Sequence, residues 1–286
     1  MEVNNQPLVS VVIPSYNHEQ YVQDSIQSVI DQAYENIELI IIDDGSKDSS
    51  VQKIEQMVDA CTQRFSRFEF RSRPNKGLSA TLNEALEWCQ GEFLSPLASD
   101  DKMFDHKTKR QVELLANQNN YVAVFGAVEI IDNNGVKTGE IRQEDKVFNF
   151  NDLIYTDRFL PAPTQMIRLN SLRAIGGFVE GMLIEDWYIY LRLLEGGNSI
   201  LYKDEIFAYY RNHGGNTFSN PYKMALGRLQ VLNEFSRHEY FKKAFIKASW
   251  DNVIEITRKD FRLSILILIH RISHKIKMIF SRMVRK

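Results

Sequence analysis

Three pairs of neighbouring acidic residues are the groups in this sequence best suited to chemistry: Asp43–Asp44, Asp100–Asp101 and Glu185–Asp186. The first two pairs follow short apolar runs, and the third begins a run with helical periodicity. Adjacent carboxylates repel each other unless a cation lies between them, and Mg²⁺ or Mn²⁺ commonly joins such oxygens to substrate phosphates. A carboxylate can also remove a proton from a hydroxyl group. Each pair alone could equally be a set of acids at the start of a helix.

The elements that position these acids alternate between strand and helix over the first hundred residues. Apolar runs predict four strands: Leu8–Ile13, which ends at Pro14, Ile37–Ile42, Arg67–Arg71 and Phe93–Leu97. Helical spacing predicts helices that begin near Glu19, after an N-cap at Ser46 or Asp48, and at Leu78–Cys89, closed by Gly91. This alternation is typical of a parallel sheet, in which ligands bind beyond the carboxyl ends of the strands.

The pattern changes after residue 120. Tyr121–Ile131 predicts a long strand, and the turn signal in Asn133–Gly135 predicts a hairpin after it. Glu185–Glu195 has helical periodicity, and Glu205–Arg211 is strand-like. From Pro221 to the end only helical spacing is found.

Composition excludes several classes of protein. The chain has 286 residues, of which 44% are hydrophobic and 25% charged, as in a globular protein. Cys61 and Cys89 cannot form a disulfide framework, and no cysteine–histidine spacing suits zinc, so we expect a reducing compartment. The net charge of −2 argues against nucleic-acid binding. We expect neither a signal peptide nor a membrane-spanning helix, since no apolar run reaches ~20 residues.

Six motifs in order make the sequence similar to a known family. They are Val11–Asn17, Ile40–Ser46, Asn75–Gly77, Leu97–Asp101, Gly176–Phe178 and Glu185–Trp187. In this order and spacing the motifs resemble the family 2 glycosyltransferases of the GT-A fold, and the resemblance covers roughly residues 7–215. It implies an α/β fold with a mostly parallel, Rossmann-like central sheet flanked by helices, with a helical extension at the C-terminus.

The resemblance implies a site for a nucleotide sugar. The residues that match the nucleotide-binding segments are Pro14, Ser15, Tyr16, Asn17, Glu19, Asp43, Asp44, Lys76 and Ser99. The first five would line the base and ribose, Asp43 would accept a hydrogen bond from the base, and Asp44 would lie near the ribose.

The resemblance also implies a metal site and a catalytic base. Asp100 and Asp101 match the end of the DxD motif, whose first acid falls on Ala98, and they would bind Mn²⁺ or Mg²⁺. His213 would be a third metal ligand and Arg211 a diphosphate contact. Asp186 matches the base, while Glu185 would face the acceptor or cap the helix. One base opposite the leaving group predicts inversion at the anomeric carbon.

Residues 261–286 combine a basic charge with an apolar stripe. Seven Lys or Arg and no Asp or Glu follow Asp260, and apolar side chains recur at helical spacing at Ile265, Ile269, Ile272, Ile276, Ile279, Phe280 and Met283. A basic amphipathic helix of this kind can lie on an anionic membrane. The alternative is packing on the protein itself or on a second copy, as in a homodimer.

These observations predict residues 1–215 as the glycosyltransferase domain and 216–286 as a helical region. The expected activity is hexosyl or N-acetylhexosaminyl transfer from a UDP-sugar to a polyprenyl-diphosphate-linked glycan of the O-antigen or capsule type. The expected location is cytoplasmic, on the inner face of the membrane. The alternatives are an inactive relative that serves as a membrane-bound assembly subunit, and a sugar nucleotidyltransferase. The latter lacks support because Pro14–Glu19 offers no Gly-rich loop with a basic residue.

Overall fold

A computed structural model describes residues 6–116, 118–156, 160–213 and 220–259. Within these residues one mixed sheet contains the strands β1 Val9–Ser15, β2 Ile37–Asp43, β3 Arg67–Ser72, β4 Phe93–Pro96, β5 Lys102–Met103, β6 Tyr121–Ile131, β7 Lys137–Ile141, β8 Lys146–Phe148, β9 Met166–Arg168 and β10 Ser199–Arg211. The α-helices are α1 Val22–Ile30, α2 Ser50–Glu55, α3 Val58–Arg64, α4 Leu78–Trp88, α5 Lys107–Ala116, α6 Phe150–Leu153, α7 Leu169–Ala174, α8 Glu185–Leu194, α9 Pro221–Glu234 and α10 Phe241–Lys259.

The first half of the sheet is parallel, in the order β3-β2-β1-β4. Its central strands are buried on both faces, because successive side chains point to opposite sides and helices cover each side. Val12 belongs to one apolar cluster, whereas Val11 and Ile13 belong to the other, which also contains Ile26 of α1. This arrangement brings the carboxyl ends of β1, β2 and β4 to one edge.

The second half of the sheet is mixed and extends the order through β9, β6, β10 and β5. β9 is antiparallel to both β4 and β6, while β6 and β10 are parallel. β5 pairs antiparallel with β10, with Tyr209 opposite Lys102 and Ala208 opposite Met103. This register brings the residues before β5 alongside the end of β10.

Helices α9 and α10 pack on the same apolar cluster as the sheet. Val231 and Leu232 of α9 and Ala244 and Ala248 of α10 are buried in the cluster that also contains Val12. Among the residues described, none of the helices has the length and apolar character to cross a membrane.

The predicted α/β class with parallel strands is confirmed, whereas the end of β1, the N-cap of α2 and the role of Gly91 differ from the predictions. β1 continues through Pro14 to Ser15, with Pro14 opposite Ile42. α2 begins at Ser50 with Ser49 as its N-cap, and Asp48, one residue earlier, accepts the backbone amides of both Ser50 and Glu19 at 3.0 Å. Ser46 Oγ instead accepts the Asn17 amide in the loop after β1. The predicted basic helix 261–286 lies outside the described residues.

Gly91 does not end α4, whose C-cap is Cys89. Its role is close approach to β1: a Cβ at this position would lie 2.6 Å from Ser10 Oγ and 2.8 Å from the Leu8 carbonyl oxygen. The glycine amide donates hydrogen bonds to Ser10 Oγ and to Glu38 Oε1. A side chain here would therefore force β1 and the start of β4 apart.

Candidate active site

The loops that follow β1 and β2 are fastened together by side chains. Asn17 donates its backbone N–H to Ser46 Oγ at 2.8 Å and accepts the Lys47 amide at 2.8 Å. Glu19 accepts the Ser49 amide at 2.8 Å. Asn17 has a φ of 55°, which asparagine tolerates better than most residues. Two of the residues predicted to line the nucleotide thus join the loops after β1 and β2.

Asp43 ends β2 and organises the turn after it. Its carboxylate accepts hydrogen bonds from the Gly45 and Ser46 amides at 3.1 and 2.9 Å and from Ser46 Oγ at 2.5 Å. Gly45 has a φ of +76°, and a Cβ there would lie 2.7 Å from the Asn75 backbone nitrogen. The turn therefore requires glycine, and it brings the β2 loop against the loop after β3.

Asp44 holds the loop after β3 in place. Its carboxylate pairs with the Arg73 guanidinium and accepts the Lys76 and Gly77 amides at 2.8 and 2.9 Å. The Lys76 side chain is exposed at this edge. The observed contacts of Asp44 are structural, and its ribose contact stays a prediction.

The end of β1 presents an unusual buried hydroxyl. Ser15 is 1% exposed, and within the described part of the chain its Oγ has no hydrogen-bond partner. Buried polar atoms are nearly always paired, because leaving one unpaired costs about 1–3 kcal/mol. Pro14 beside it is half-buried, and Tyr16 is 43% exposed. The Ser15 hydroxyl is itself buried, so of these three residues Tyr16 alone presents an exposed side chain at the end of β1.

Two histidines and one aspartate converge beyond the ends of β1, β4 and β10. Ligand atoms of His18, Asp100 and His213 lie within 4.8 Å of one another. His213 Nε2 is 2.8 Å from Asp100 Oδ2, and His18 Nε2 is 3.9 Å from the same oxygen. His18 Nδ1 lies 2.8 Å from Ser99 Oγ, so the serine orients the imidazole. Burial lowers the pKa of His18, which favours the neutral, metal-binding form.

The triad differs from the sequence prediction at one ligand, since His18 stands where Asp101 was expected. The Asp101 carboxylate accepts the Arg211 amide at 2.8 Å. Burial raises the pKa of Asp101 well above its usual range, and the neighbouring Asp100 charge adds to this. Asp101 therefore joins the β4–β5 turn to β10. The sequence carried a weak signal for His18, because the residue directly follows the polar loop after β1.

Arg211 lies beneath the triad and was expected to contact a diphosphate. It is 2% exposed, and its guanidinium donates to the backbone oxygens of Asp100 and Asp132 at 2.9 and 3.1 Å. Its guanidinium carbon lies 4.5 Å from the ring centre of Tyr21, and that ring stacks on His213. These contacts make Arg211 a support for Asp100 and, through the Tyr21 ring, for His213.

Glu185 and Asp186 occupy the first turn of α8, where the helix N-terminus favours negative charge. Burial raises the pKa of Glu185 to about 8, and the Asp186 charge adds to this. Tyr190, one turn later, donates to Gln165 Oε1 at 3.4 Å, and the Gln165 carbonyl accepts from Ser95 Oγ of β4 at 3.1 Å. These bonds connect α8 to Gln165 and, through Gln165, to β4.

The comparisons with known proteins agree with this geometry. Residues 10–176 match the model described as Glycosyl transferase family 2, and the chain belongs to that family of glycosyltransferases. An uncharacterized glycosyltransferase of Haemophilus influenzae is 30% identical over 241 residues, which cover 84% of this chain and 90% of that protein.

Two further relatives differ in length. The UDP-Glc:alpha-D-GlcNAc-diphosphoundecaprenol beta-1,3-glucosyltransferase WfgD of Escherichia coli is 29% identical over 239 residues, 80% of this chain and 86% of WfgD. An uncharacterized glycosyltransferase of Rickettsia felis is 28% identical over 90% of this chain, which spans 43% of that longer protein.

Solved structures confirm the GT-A fold. TarS of S. aureus in complex with UDP-GlcNAc has a TM-score of 0.61 at 20% identity, covering 86% of this chain and 80% of that one. The mannosyltransferase PcManGT of Pyrobaculum calidifontis, in complex with GDP-Man and Mn²⁺, has a TM-score of 0.64 at 13% identity, covering 96% and 81%.

Proposed function

We propose that the chain is an inverting, metal-dependent glycosyltransferase that moves a sugar from a UDP-sugar to a hydroxyl of a lipid-linked glycan. The observation that carries the proposal is the His18–Asp100–His213 triad, whose members follow β1, β4 and β10 at the carboxyl edge of the sheet. Ligands of open α/β sheets bind at this edge. The proposal assigns the nucleotide to the surface formed by the loops after β1 and β2.

The triad fits a divalent cation. Two imidazole nitrogens and one carboxylate oxygen form a mixed donor set, whereas Mg²⁺ keeps to oxygen ligands and water. Of the two cations expected, Mn²⁺ therefore suits these residues better. When bound, such a cation stabilises the negative charge that develops on the leaving diphosphate. Ser99 orients His18 and Tyr21 orients His213, so the ligand atoms are held before a cation arrives.

Asp186 is assigned as the general base. Burial raises the pKa of Glu185 to about 8, so the protonated form of Glu185 is favoured at neutral pH and Asp186 is the member of the pair proposed as the base. Asp186 would take the proton of the acceptor hydroxyl as its oxygen bonds to the anomeric carbon and the bond to the diphosphate breaks. Glu185 would then face the acceptor as a hydrogen-bond donor. One displacement of this kind inverts the anomeric centre.

The acceptor is assigned from the relatives. WfgD is named for its diphosphoundecaprenol-linked acceptor, and its alignment covers 80% of this chain. We therefore assign a polyprenyl-diphosphate-linked glycan as the acceptor, in polysaccharide synthesis on the inner face of the membrane. The basic residues after Asp260 would attract the protein to an anionic membrane surface.

Thermal unfolding with UDP, GDP and dTDP, each with and without Mn²⁺, tests the proposal. We expect UDP with Mn²⁺ to raise the melting temperature, since a ligand at 100 times its Kd adds about 2.7 kcal/mol. His18→Ala should remove the Mn²⁺-dependent part, whereas the exposed His106→Ala should keep it. A wild-type protein that responds to no nucleotide would contradict the proposal. If a nucleotide does raise the melting temperature, slow hydrolysis measured across a panel of nucleotide sugars would identify the donor.

A further inference from the structure

Helix α10 carries three large apolar side chains on its outer surface. Ile246, Trp250 and Ile254 are 57%, 52% and 51% exposed. They are four residues apart and therefore lie along one face of the helix. We call these three residues the outer stripe. Isolated exposed apolar residues are ordinary, but a row of three on one helix marks a contact surface.

The outer stripe is opposite the face with which α10 packs on the protein. Ala244, Ala248, Asn252 and Ile256 are buried and are also four residues apart. Each lies two residues from a member of the outer stripe, and two residues correspond to about 200° around a helix. α10 is therefore apolar on two opposite faces, of which the protein covers one. A helix with two apolar faces needs a second partner.

The charges around the outer stripe favour an anionic partner. Lys242, Lys243 and Lys247 are exposed on the same helix, and Lys247 also pairs with Asp251 at 2.6 Å. The other acid of the helix, Glu255, pairs with Arg228 of α9 at 2.7 Å. Lysines that flank an apolar row are typical of helices that lie in the headgroup layer of a bilayer. A tryptophan in the middle of the row suits that layer, where its ring is partly apolar and partly wet.

The sequence beyond the described residues continues the same spacing. Phe261 follows Ile254 by seven residues, and Ile265 and Ile269 follow at steps of four. These steps match the period of the outer stripe. The segment after Asp260 adds Lys and Arg without any acidic residue. Helix α10 and the segment after Asp260 thus both favour contact with an anionic surface that has an apolar interior.

We propose that the outer stripe of α10 inserts into the headgroup layer of an anionic lipid bilayer. The inference rests on the proposed function, because a lipid-linked acceptor lies in the same bilayer and contact through α10 would hold the enzyme beside it. It extends the membrane contact from the basic tail to a face of the folded protein. The occupants that compete are a second copy of the chain and the chain's own C-terminal segment.

Fluorescence of the full-length protein tests the contact directly. The chain has three tryptophans, of which Trp187 is 3% exposed and Trp250 is 52% exposed. Vesicles of equal parts phosphatidylglycerol and phosphatidylcholine with brominated acyl chains should quench Trp250. Trp250→Phe should abolish the quenching but still bind, because phenylalanine keeps an apolar ring. Unquenched wild-type protein would overturn the proposal, and this readout requires no destabilising substitution.

Vesicle sedimentation provides the second test. We expect the triple variant Ile246→Ser, Trp250→Ser and Ile254→Ser to need roughly tenfold more lipid for half-maximal binding. The matched control is Val136→Ser with Val147→Ser, which removes exposed apolar side chains from elsewhere on the surface. Equal binding by the triple variant and wild type would overturn the proposal.

Two further outcomes would also overturn it. Protection of Trp250 from iodide without lipid would show that protein covers the stripe, and conversion of a dimer to a monomer by the triple variant would assign the face to a second copy. Donor hydrolysis with Mn²⁺ in lipid-free buffer is scored separately. If the wild-type protein does not hydrolyse the donor, the proposed function is contradicted. The quenching and sedimentation results would still decide the role of α10.

Discussion

At the scale of single residues, substitutions of Asp186 and Glu185 separate the proposed base from its neighbouring acid. We expect Asp186→Asn to lower kcat by about 10²–10⁴-fold, the usual contribution of a general base, while the Kd of UDP changes little. Glu185→Gln should keep most activity at pH 7, because glutamine mimics the protonated acid. Steady-state kinetics and UDP titration of both variants measure this. A comparable loss of kcat in the two variants would contradict the assignment of Asp186 as the base.

Glu185 also predicts a pH dependence. Its pKa of about 8 means that a second negative charge appears beside Asp186 as the pH rises through that value. If the protonated acid donates to the acceptor, wild-type kcat should fall above about pH 8, and Glu185→Gln should lose this fall. The pH profile of kcat from about pH 6 to 10 measures the difference. Identical alkaline limbs in the two proteins would contradict the role of Glu185.

A substitution of Arg211 tests whether this residue holds the triad in place. Arg211→Lys keeps the charge but loses the planar fork that bonds to the Asp100 and Asp132 carbonyls. We expect Mn²⁺ affinity to fall about tenfold, as for groups that orient metal ligands. Titration of Mn²⁺ measures this, and kcat at saturating Mn²⁺ should change far less. A selective loss of kcat with unchanged Mn²⁺ affinity would instead indicate the diphosphate contact expected from the sequence.

The metal triad shows how far single residues could be predicted. Asp100 and His213 could be predicted as candidate ligands because both follow strands in a recognisable family pattern, and the structure brings their side chains within 2.8 Å of each other. His18 was missed because it lies beyond the strand end, and its direction depends on the Ser99 hydroxyl. The burial of Asp101 follows from the β5–β10 pairing, which no local pattern reveals.

At the scale of elements, the loop after β3 depends on one carboxylate. Asp44→Asn would weaken the pairing with Arg73 and the bonds from the Lys76 and Gly77 amides. Loss of such charge-assisted bonds should lower the free energy of unfolding by about 1–3 kcal/mol. Urea unfolding measures this, and hydrogen exchange at Lys76 and Gly77 should accelerate. The exposed Asp59→Asn is the control, and an equal effect in both variants would contradict the prediction.

The strands differ in how well the sequence predicted them. β1, β2 and β4 are buried on both faces and consist mostly of apolar residues, so their pattern is visible locally. β5 has two residues and β9 has three, too few for any periodicity. Tertiary pairing alone positions these short strands.

At the scale of the whole molecule, a buried lysine connects stability to pH. Lys107 is fully buried, donates to Ser95 Oγ at 2.6 Å, and has its pKa lowered by burial to about 7. The unfolded chain keeps a lysine pKa near ~10.4, so it binds more protons than the folded chain between about pH 7 and 10. The contribution of Lys107 to stability therefore rises with pH across this window.

Lys107→Met tests this relation. We expect the variant to be more stable than wild type at pH 7, by about 1–3 kcal/mol, because it removes the desolvation of an amine. The difference should shrink toward about pH 9.5. Melting temperatures across this range measure it, with the exposed Lys109→Met as control. Parallel curves for Lys107→Met and wild type would contradict the assigned pKa.

The pairing of β5 with β10 has a consequence for exchanging parts between related enzymes. Tyr209 lies opposite Lys102 in the sheet. The number of residues between Tyr209 and His213 therefore determines whether the imidazole reaches Asp100. A chimaera joined within β10 must preserve this count, even where neither parent conserves the residues themselves. An insertion of one residue after Tyr209 would reverse the faces of the following side chains and separate the two ligands, while a junction upstream of Ser199 leaves the spacing intact.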